Sequence, residues 1–371
     1  RRVLEARYLA RNQAGCVVES YEDLCRRVAR GVAAAEEESG GEPDRIEEAF
    51  HRLLVSREFL PNSPTLMNAG TPCAQLAACF VLPIDDSMDG IFEAVKRMAV
   101  IHQLGGGTGF SFSGIRPRGD AVAGIPGIAA GPVAFLGVFD AATAAVKQGG
   151  RRRGANMGVM RVDHPDILEL GRAKTDASRM THFNRAVGVT DACMRAVEAG
   201  KRFDLQNPRD GTRVGGLDAR ELLGEMAENA WAGGDPGVIF LDTLNRDNPT
   251  PRLGVLQATN PCGELPLLDD ESCNLGSIRL DAFVCEDRID WERLDATTDL
   301  AVRFLDDVIE VSEYPFAEIA EASRGSRKIG LGVMGFADLL VDLGIPYDSA
   351  AAVETAERLM ERIHTRARRA S

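Results

Sequence analysis

Three side chains with useful chemistry alternate within five residues of this 371-residue sequence: Asn260, Cys262 and Glu264. Pro261 and Gly263 lie between them, and a proline and a glycine so close together argue against a helix and favour an extended loop. Alternate residues of an extended chain point the same way, so the amide, the thiol and the carboxylate are predicted to converge on one small volume. Such a set could bind a polar substrate, react through sulfur and move a proton. A turn with a buried cysteine and a solvated glutamate is the competing interpretation.

Two more cysteines lie in contexts that suit redox chemistry. Cys79 lies in the apolar, strand-like segment 76–82, and Cys273 lies in the segment 271–277. Reduction of a carbon–oxygen bond requires two electrons, which two neighbouring thiols can deliver by closing a disulfide. The competing interpretation makes each cysteine a small buried apolar residue. The remaining five match no such context and are assigned no chemistry: Cys16, Cys25, Cys73, Cys193 and Cys285.

Three segments rich in glycines, hydroxyl groups or cations could contact a nucleotide. Residues 104–110 (Leu-Gly-Gly-Gly-Thr-Gly-Phe) allow close backbone approach, but they match neither the dinucleotide pattern nor the P-loop, and a tight turn explains them equally well. Residues 61–70 offer hydroxyl and amide donors, or form an ordinary surface loop. Residues 147–158 concentrate four cations among glycines, and this loop is either solvated or able to wrap a phosphate.

Together and in this order, these motifs resemble those of the ribonucleotide reductase large chain. Residues 260–264 are similar to the finger-loop motif of that family, in which the cysteine becomes a thiyl radical. The resemblance implies that Cys262 takes the 3′ hydrogen of the ribose and that Glu264 accepts the 3′ hydroxyl proton. It also implies that Asn260 hydrogen-bonds the sugar hydroxyls.

The same resemblance assigns further residues to the substrate and to an effector. Cys79 and Cys273 match the reducing pair of the family, and Ala78 stands where relatives often have serine, which leaves only its backbone for the nucleotide. Substrate contacts are expected from Ser63, Ala78, Cys79, Gly107, Asn260, Pro261, Cys262, Gly263 and Glu264. Effector contacts are expected from Asp86, Ser87, Arg116, Lys147, Gln148 and Arg151. Helix capping and loop solvation are the competing interpretation of the first three effector residues.

The class of reductase is indicated by the opening residues 3–9, the short helical segment before residue 61 and the loop 147–158. These look more like the class that depends on adenosylcobalamin. The resemblance then implies a ribonucleoside-diphosphate reductase that makes DNA precursors, with thioredoxin or glutaredoxin as reductant and a deoxynucleotide or ATP as effector. It also implies a homodimer formed through helices near 90–104 and 131–147. The runner-up is the large subunit of the class that receives its radical from a metal-containing partner subunit, and the anaerobic glycyl-radical class ranks third.

The family fold is a ten-stranded α/β barrel, of which this chain is expected to cover the first half and the finger loop. Alternation of short apolar runs with amphipathic ones independently predicts an α/β fold with a largely parallel sheet. We expect a helical cap over residues 1–60 and a partial barrel over residues 61–371. Helices are predicted after Ser20 and at 46–54, 90–104, 131–147, 217–231 and 290–312. Strands are predicted at 109–113, 157–162, 186–190, 237–240, 275–280 and 329–333.

Composition narrows the possible partners. The 43 basic and 56 acidic residues give a net charge of −13, which argues against nucleic acid or an anionic membrane as a general partner. Eight cysteines without CxxC pairs favour a reducing cytoplasm and predict neither a disulfide scaffold nor a metal site. No apolar run reaches membrane-spanning length, and the first residues lack the core of a signal peptide. The sequence begins with arginine and ends within a helical pattern, so we expect part of a longer protein that is inactive alone.

Two other functions fit parts of the pattern. Cys262 could be a nucleophile activated by a histidine, as in thiol hydrolases, but none of the five histidines lies in a recognisable partner motif. A non-catalytic regulator that binds nucleotides would use the glycine-rich loops and the cations of residues 151–153. Such a regulator would not need Cys79 and Cys273 to react with each other.

Overall fold

The computed structural model describes residues 2–122, 128–146, 153–174 and 180–371. They belong to two compact units, the terminal unit (Arg1–Ala78 with Ser272–Ser371) and the central unit (Cys79–Glu271). The helices of the described residues are α1 (Arg2–Arg7), α2 (Tyr21–Ala33), α3 (Ala35–Ser39), α4 (Pro43–Val55), α5 (Ser63–Asn68), α6 (Met88–Gln103), α7 (Pro132–Ala145), α8 (Ile167–Arg172), α9 (Asp191–Ala199), α10 (Ala219–Gly233), α11 (Leu241–Arg246), α12 (Trp291–Val311), α13 (Ala317–Ser326), α14 (Phe336–Asp342), α15 (Ala350–Ala370) and a 3₁₀ helix, Leu280–Phe283. Their strands are β1 (Phe59–Pro61), β2 (Cys79–Leu82), β3 (Gly107–Ser111), β4 (Asn156–Arg161), β5 (Phe183–Val189), β6 (Arg202–Gln206), β7 (Arg213–Asp218), β8 (Gly237–Phe240), β9 (Ala258–Thr259), β10 (Pro266–Leu267), β11 (Ser272–Arg279), β12 (Val284–Cys285), β13 (Arg288–Ile289) and β14 (Ile329–Met334). Among the described residues, no helix has the length and apolar character needed to cross a membrane.

Helices α2 and α4 of the terminal unit pack on each other and on α12. Helix α2 begins with a capping box, in which the Ser20 hydroxyl accepts from Asp23 N and the Asp23 carboxylate accepts from Ser20 N. Its apolar positions at four-residue spacing, among them Leu24 and Val28, are buried. The helix predicted after Ser20 is therefore confirmed, and the reason is the amphipathic pattern behind a good cap.

Three strands of the terminal unit, β1, β11 and β14, pair with one another, and β12 and β13 form a separate two-stranded sheet. Strand β11 pairs antiparallel with β1 and parallel with β14. A Cβ at Gly276 of β11 would be 2.1 Å from Phe59 Cζ, so a glycine is needed where the ring crosses the strand. Phe59 also packs edge to face on Phe304 of α12, with ring centroids 5.4 Å apart. The predicted elements of this unit are confirmed with small displacements. The helix 46–54 lies within α4 and the strand 329–333 within β14, whereas the helix 290–312 extends one residue beyond α12 at each end and the strand 275–280 extends one residue beyond the end of β11.

The central unit is built on five parallel strands in the order β2, β3, β4, β5 and β8. Parallel neighbours require crossover connections, and α6 and α7 supply two of them. The predicted α/β arrangement with a largely parallel sheet is confirmed. Residue 147, the predicted end of α7, lies outside the described residues. The predicted elements of this unit are α6, α7, α10, β3, β4, β5 and β8, each displaced by about three residues or fewer.

Sequence patterns did not predict the antiparallel pair β6 and β7. Most of their residues are exposed or half-buried, so no apolar alternation marks them as strands. Strand β7 also moves the start of α10 from the predicted residue 217 to Ala219, where the Asp218 side chain caps the helix.

The pleat of the central strands separates two faces of the sheet. Cys79 of β2 pairs in register with Gly107 of β3. Gly109 lies two residues further along β3 and points to the same side. It pairs with Met157 of β4, which in turn pairs with Asn184 of β5. These five residues therefore lie on one face, which we call the cysteine face. It is the face on which the candidate site is built.

The opposite face of the central sheet is covered by helices and packed with aromatic rings. Phe110 of β3 and Phe183 of β5 both contact Phe139 of α7 edge to face, with ring centroids 5.0 Å and 6.4 Å apart. All three side chains are buried. These buried rings pack against the strands on the side opposite the cysteine face.

Candidate active site

Residues 260–265 form the loop of a β-hairpin whose strands are β9 and β10. Asn260 N donates to Leu265 O and Gly263 N donates to Asn260 O, both over 3.1 Å, which closes a tight turn. Pro261 takes the second position of this turn, where its fixed φ is favoured, and Gly263 takes the fourth with φ +85°. The prediction of an extended loop is therefore wrong, because the proline and the glycine reverse the chain.

The turn places the three reactive side chains in two environments. Asn260 is fully buried, whereas Cys262 and Glu264 are exposed. Since the chain reverses here, the alternation rule of an extended strand does not apply to these residues. The sulfur and the carboxylate are open to a ligand, and the amide acts from within the protein.

Two glycines of the cysteine face make room for the hairpin. A Cβ at Gly109 would be 1.7 Å from Thr259 O, and a Cβ at Gly107 would be 2.7 Å from Pro261 Cγ. Any larger residue at these positions would displace the hairpin from the sheet. Gly107, expected to contact the substrate, thus lies directly beneath the residue that precedes Cys262.

Asn260 connects the turn to Cys79. Its Nδ2 donates to Cys79 Sγ over 3.1 Å, and its Oδ1 accepts from Leu265 N over 3.1 Å. Cys79 is buried at the first residue of β2, so the amide joins the start of this strand to the far side of the hairpin. The central unit therefore brings Asn260, Cys79 and the turn with Cys262 together at one end of the cysteine face.

Sequence reasoning missed Asn184, the second residue of β5. Its Nδ2 donates to Pro261 O over 2.7 Å, although the two residues are 77 positions apart in sequence. A single asparagine near the start of a strand belongs to no motif. Only the register of the sheet together with the position of the hairpin could have revealed this contact.

A buried polar network supports the same strand ends from the opposite face. Thr108 Oγ1 donates to Asn156 Oδ1 over 2.7 Å, and Asn156 Nδ2 donates to Thr143 Oγ1 over 2.9 Å. His102 Nε2 lies 3.1 Å from Thr108 Oγ1. Since Thr108 has one hydroxyl proton and uses it on Asn156, its Oγ1 accepts from His102 Nε2 in the second bond. The network fixes the starts of β3 and β4, which lie beneath the turn.

The terminal unit holds three of the other predicted substrate or redox residues: Ser63, Ala78 and Cys273. Ser63 begins α5, and its Oγ lies 2.8 Å from Tyr8 OH. Ala78 N donates to Cys273 O over 3.1 Å, so the backbone of Ala78 is engaged within the protein. Its carbonyl is the remaining backbone group that could meet a nucleotide.

Cys273 is a buried thiol in a polar neighbourhood. Its Sγ donates to Asn274 O over 3.0 Å. Burial raises the pKa of the neighbouring Tyr314 hydroxyl above its ordinary value. Cys79 belongs to the other unit, and its predicted pairing with Cys273 stays a prediction.

Asp86, Ser87 and Arg116 line a cavity of about 250 Å³ in the central unit. Arg116 Nε donates to Asp86 Oδ2 and another guanidinium nitrogen donates to Ala121 O, both over 2.8 Å. Ser87 Oγ accepts from Gly90 N and caps α6, as the competing interpretation expected. Apolar side chains form much of the remaining lining: Met88, Ile91, Ile115, Val122, Ile128 and Phe135.

The basic loop 147–158 is described only in part. Arg153 donates to His182 Nε2 over 3.1 Å, so this cation is held at the start of β5. The other residues expected at the effector lie outside the described residues: Lys147, Gln148 and Arg151. Their predicted role stays a prediction.

Comparison with protein families covers nearly the whole chain. Residues 1–74 match the ribonucleotide reductase all-alpha domain, and residues 77–371 match the ribonucleotide reductase barrel domain. The chain belongs to the ribonucleotide reductase family. The predicted family is thereby confirmed, as is the fold class of an incomplete α/β barrel preceded by a helical region.

Several similar proteins are longer than this chain. A vitamin B12-dependent ribonucleoside-diphosphate reductase of Mycobacterium tuberculosis (strain CDC 1551 / Oshkosh) is 54% identical over 100% of this chain and 54% of that protein. A protein of the same name from Thermoplasma acidophilum is 41% identical over 100% of this chain and 56% of that protein. A vitamin B12-dependent ribonucleotide reductase of Streptomyces clavuligerus is 34% identical over 84% of this chain and 35% of that protein. The chain spans about half the length of the first two relatives.

Proposed function

We propose that this chain contributes the radical cysteine and the reducing cysteines to an enzyme that converts ribonucleoside diphosphates to 2′-deoxyribonucleotides. The observation that supports this best is the turn at 260–263, which exposes Cys262 while Asn260 binds Cys79 from within. A radical sulfur must reach its substrate, and a thiol that supplies an electron must lie close to the same sugar. The names of the first two relatives support a diphosphate substrate.

In this proposal the Cys262 thiyl radical takes the hydrogen atom from the 3′ carbon of the ribose. Glu264 accepts the 3′ hydroxyl proton, and Asn260 binds a sugar hydroxyl through the second proton of its Nδ2. The 2′ hydroxyl leaves as water. Cys79 and Cys273 supply two electrons and two protons and become a disulfide, and Cys262 returns its hydrogen atom to the 3′ carbon. One ribonucleotide and two thiols thus give one deoxyribonucleotide, one disulfide and one water.

Cobalamin, in its adenosyl form, belongs to the same proposal because the relatives above are named as vitamin B12-dependent. When bound, it supplies the radical that Cys262 acquires. The turn is accessible to such a group, because Cys262 and Gly263 are both exposed. Gly263, at φ +85°, also leaves that part of the turn without a side chain. These two residues would face the cofactor. A metal-containing partner subunit, the competing radical source, would act on the same sulfur.

The remaining partners follow from the family and from three features of the chain. The cavity beside Asp86 and Arg116 offers a charged pair next to apolar walls, which suits a deoxynucleotide or ATP as effector. Helix α6 exposes Met88 and Phe92, which supports a homodimer through α6 and α7. Thioredoxin or glutaredoxin would reduce the disulfide again. We also propose a cytoplasmic location. The chain is proposed to consist of a helical cap over residues 1–60 and one catalytic barrel from residue 61.

Formation of deoxyribonucleotide by the complete protein tests the proposal. Cys262→Ala is expected to abolish turnover of a ribonucleoside diphosphate in the presence of adenosylcobalamin, because no other sulfur occupies the turn. The exposed side chain leaves no cavity, so the free energy of unfolding should change by less than about 0.5 kcal/mol. Cys285→Ala, at another exposed cysteine, is the matched control and should retain wild-type turnover. Turnover by the Cys262 variant, or an equal loss in both variants, would contradict the proposal.

A further inference from the structure

One side chain of the central sheet binds the backbone atom next to Cys262. Asn184 Nδ2 donates to Pro261 O over 2.7 Å. Asn184 lies on β5, whereas Gly107, which lies beneath the Pro261 ring, is on β3. The hydrogen bond therefore reaches across β4 and joins the turn to a strand that the glycines do not contact.

The position of this bond matters because the Pro261 carbonyl and the Cys262 nitrogen belong to one planar peptide unit. A donor on the carbonyl oxygen fixes the rotation of that plane about the chain. The rotation determines the direction in which the Cys262 Cα and its side chain leave the turn. The Pro261 ring is at the same time seated over Gly107, where a Cβ would come within 2.7 Å of Pro261 Cγ.

The residue on the other side of Cys262 is held by one hydrogen bond, in which Gly263 N donates to Asn260 O over 3.1 Å. Gly263 is at φ +85° and can change its backbone angles more cheaply than any other residue. A Cβ placed there would meet Met157 Cε only at 3.7 Å, an ordinary contact distance. Asn184 therefore adds a restraint on the Pro261 side of the Cys262 peptide to the hydrogen bond that closes the turn on the Gly263 side.

We propose that Asn184 is a positioning residue for Cys262: its carboxamide holds the Pro261–Cys262 peptide in the orientation that aims the sulfur at the substrate. The statement that the sulfur is aimed at the substrate rests on the proposed function. The orientation of the sulfur does not rest on that function, because it is a property of the turn alone. The donor is a neutral amide, so the contact adds no charge beside the thiol.

Asn184→Leu removes the donor and keeps a side chain of similar size. Misplaced sulfur reacts more slowly but leaves substrate binding intact, so kcat in the complete protein should fall by about 10- to 100-fold while KM changes less than about twofold. Asn184→Gln keeps the amide donor on a longer side chain and should recover part of the loss. Asn12→Asp is the control, because the exposed Asn12 accepts from Ala14 N and Cys16 N through its Oδ1 and aspartate keeps that contact.

A second measurement does not require turnover. Alkylation by iodoacetamide, followed by peptide mass spectrometry, should be about threefold or more faster at Cys262 in Asn184→Leu, because the released turn samples more open orientations. The exposed Cys16, Cys73 and Cys285 serve as internal references and should react at wild-type rates. A wild-type protein without reductase activity would refute the proposed function, and the alkylation rates would still decide the role of Asn184. Wild-type kcat and wild-type Cys262 alkylation in Asn184→Leu would overturn the positioning role.

Discussion

Gly109→Ala is expected to displace the hairpin that carries Cys262. The new Cβ would lie 1.7 Å from Thr259 O and 2.8 Å from Thr259 C, and folded proteins essentially never show Cβ contacts below 3.0 Å. Both obstructing atoms are backbone, so no side chain can rotate out of the way. Raising the shorter distance from 1.7 Å to 3.0 Å requires a shift of about 1.3 Å.

A shift of this size has consequences for both stability and rate. Overpacking against backbone costs about 1–3 kcal/mol in free energy of unfolding, which urea denaturation measures. A displacement of about 1 Å at a reacting group can lower the rate about 100-fold, which deoxyribonucleotide formation by the complete protein measures. Gly107→Ala should show a smaller loss in both assays, because its Cβ comes too close only to the Pro261 ring, at 2.7 Å, and lies at an ordinary contact distance of 3.5 Å from Ala155 O.

The matched control for these variants is Gly224→Ala, an exposed position inside α10 with nothing within 4 Å of the new Cβ. Alanine is the better helix former, so this variant should gain about 0.5–1 kcal/mol and keep its activity. If Gly109→Ala matched the control in stability and turnover, the hairpin would not be seated on the cysteine face as described, and the reasoning would be refuted.

Two further substitutions test contacts elsewhere in the chain. Asn260→Ala should lower the free energy of unfolding by about 1–3 kcal/mol, because Leu265 N and Cys79 lose a buried partner; an unchanged urea midpoint would argue against these contacts. Burial, reinforced by the charge of Glu36, raises the pKa of Asp307 from 3.8 to about 7. The folded chain therefore binds the Asp307 carboxyl proton more tightly than the unfolded chain does. The free energy of unfolding accordingly falls as the pH rises from about 4 to 7. Asp307→Asn should match the wild type near pH 4 and exceed it at pH 8 by up to about 4 kcal/mol, and equal melting curves at pH 8 would contradict this burial.

Much of the central sheet could be predicted because its strands are apolar and its helices amphipathic. Strand β8 was predicted with its observed bounds, and β4 with a displacement of one residue, since both follow from local runs of the sequence. The pair β6 and β7 was missed for the opposite reason: exposed strands show no apolar alternation. Local pattern thus identifies the elements that build the core better than those that lie outside it.

The candidate site was predicted in its residues but not in its geometry. Cys262 and Asn260 were singled out because an amide, a thiol and a carboxylate at alternate positions suit a reactive site, and their radical role came from the resemblance to the family; that role stays a prediction. The extended loop was wrong because proline and glycine permit both an extended segment and a turn, and the choice depends on the hydrogen bond from Gly263 N to Asn260 O. Asn184 owes its importance to a hairpin far away in sequence, so no local signal could reveal it. The glycine-rich run 104–110 indicated close backbone approach at Gly109 but not that the hairpin is what approaches.

A single turnover with mapped thiols shows whether Cys79 and Cys273 supply the two electrons. The complete protein, fully reduced and freed of external reductant, is mixed with adenosylcobalamin and one equivalent of ribonucleoside diphosphate, and its cysteines are then identified by peptide mass spectrometry. We expect one deoxyribonucleotide for each pair of thiols lost, with a disulfide joining Cys79 to Cys273 and Cys262 still a thiol. Deoxyribonucleotide formed with Cys79 and Cys273 both still reduced would contradict this expectation.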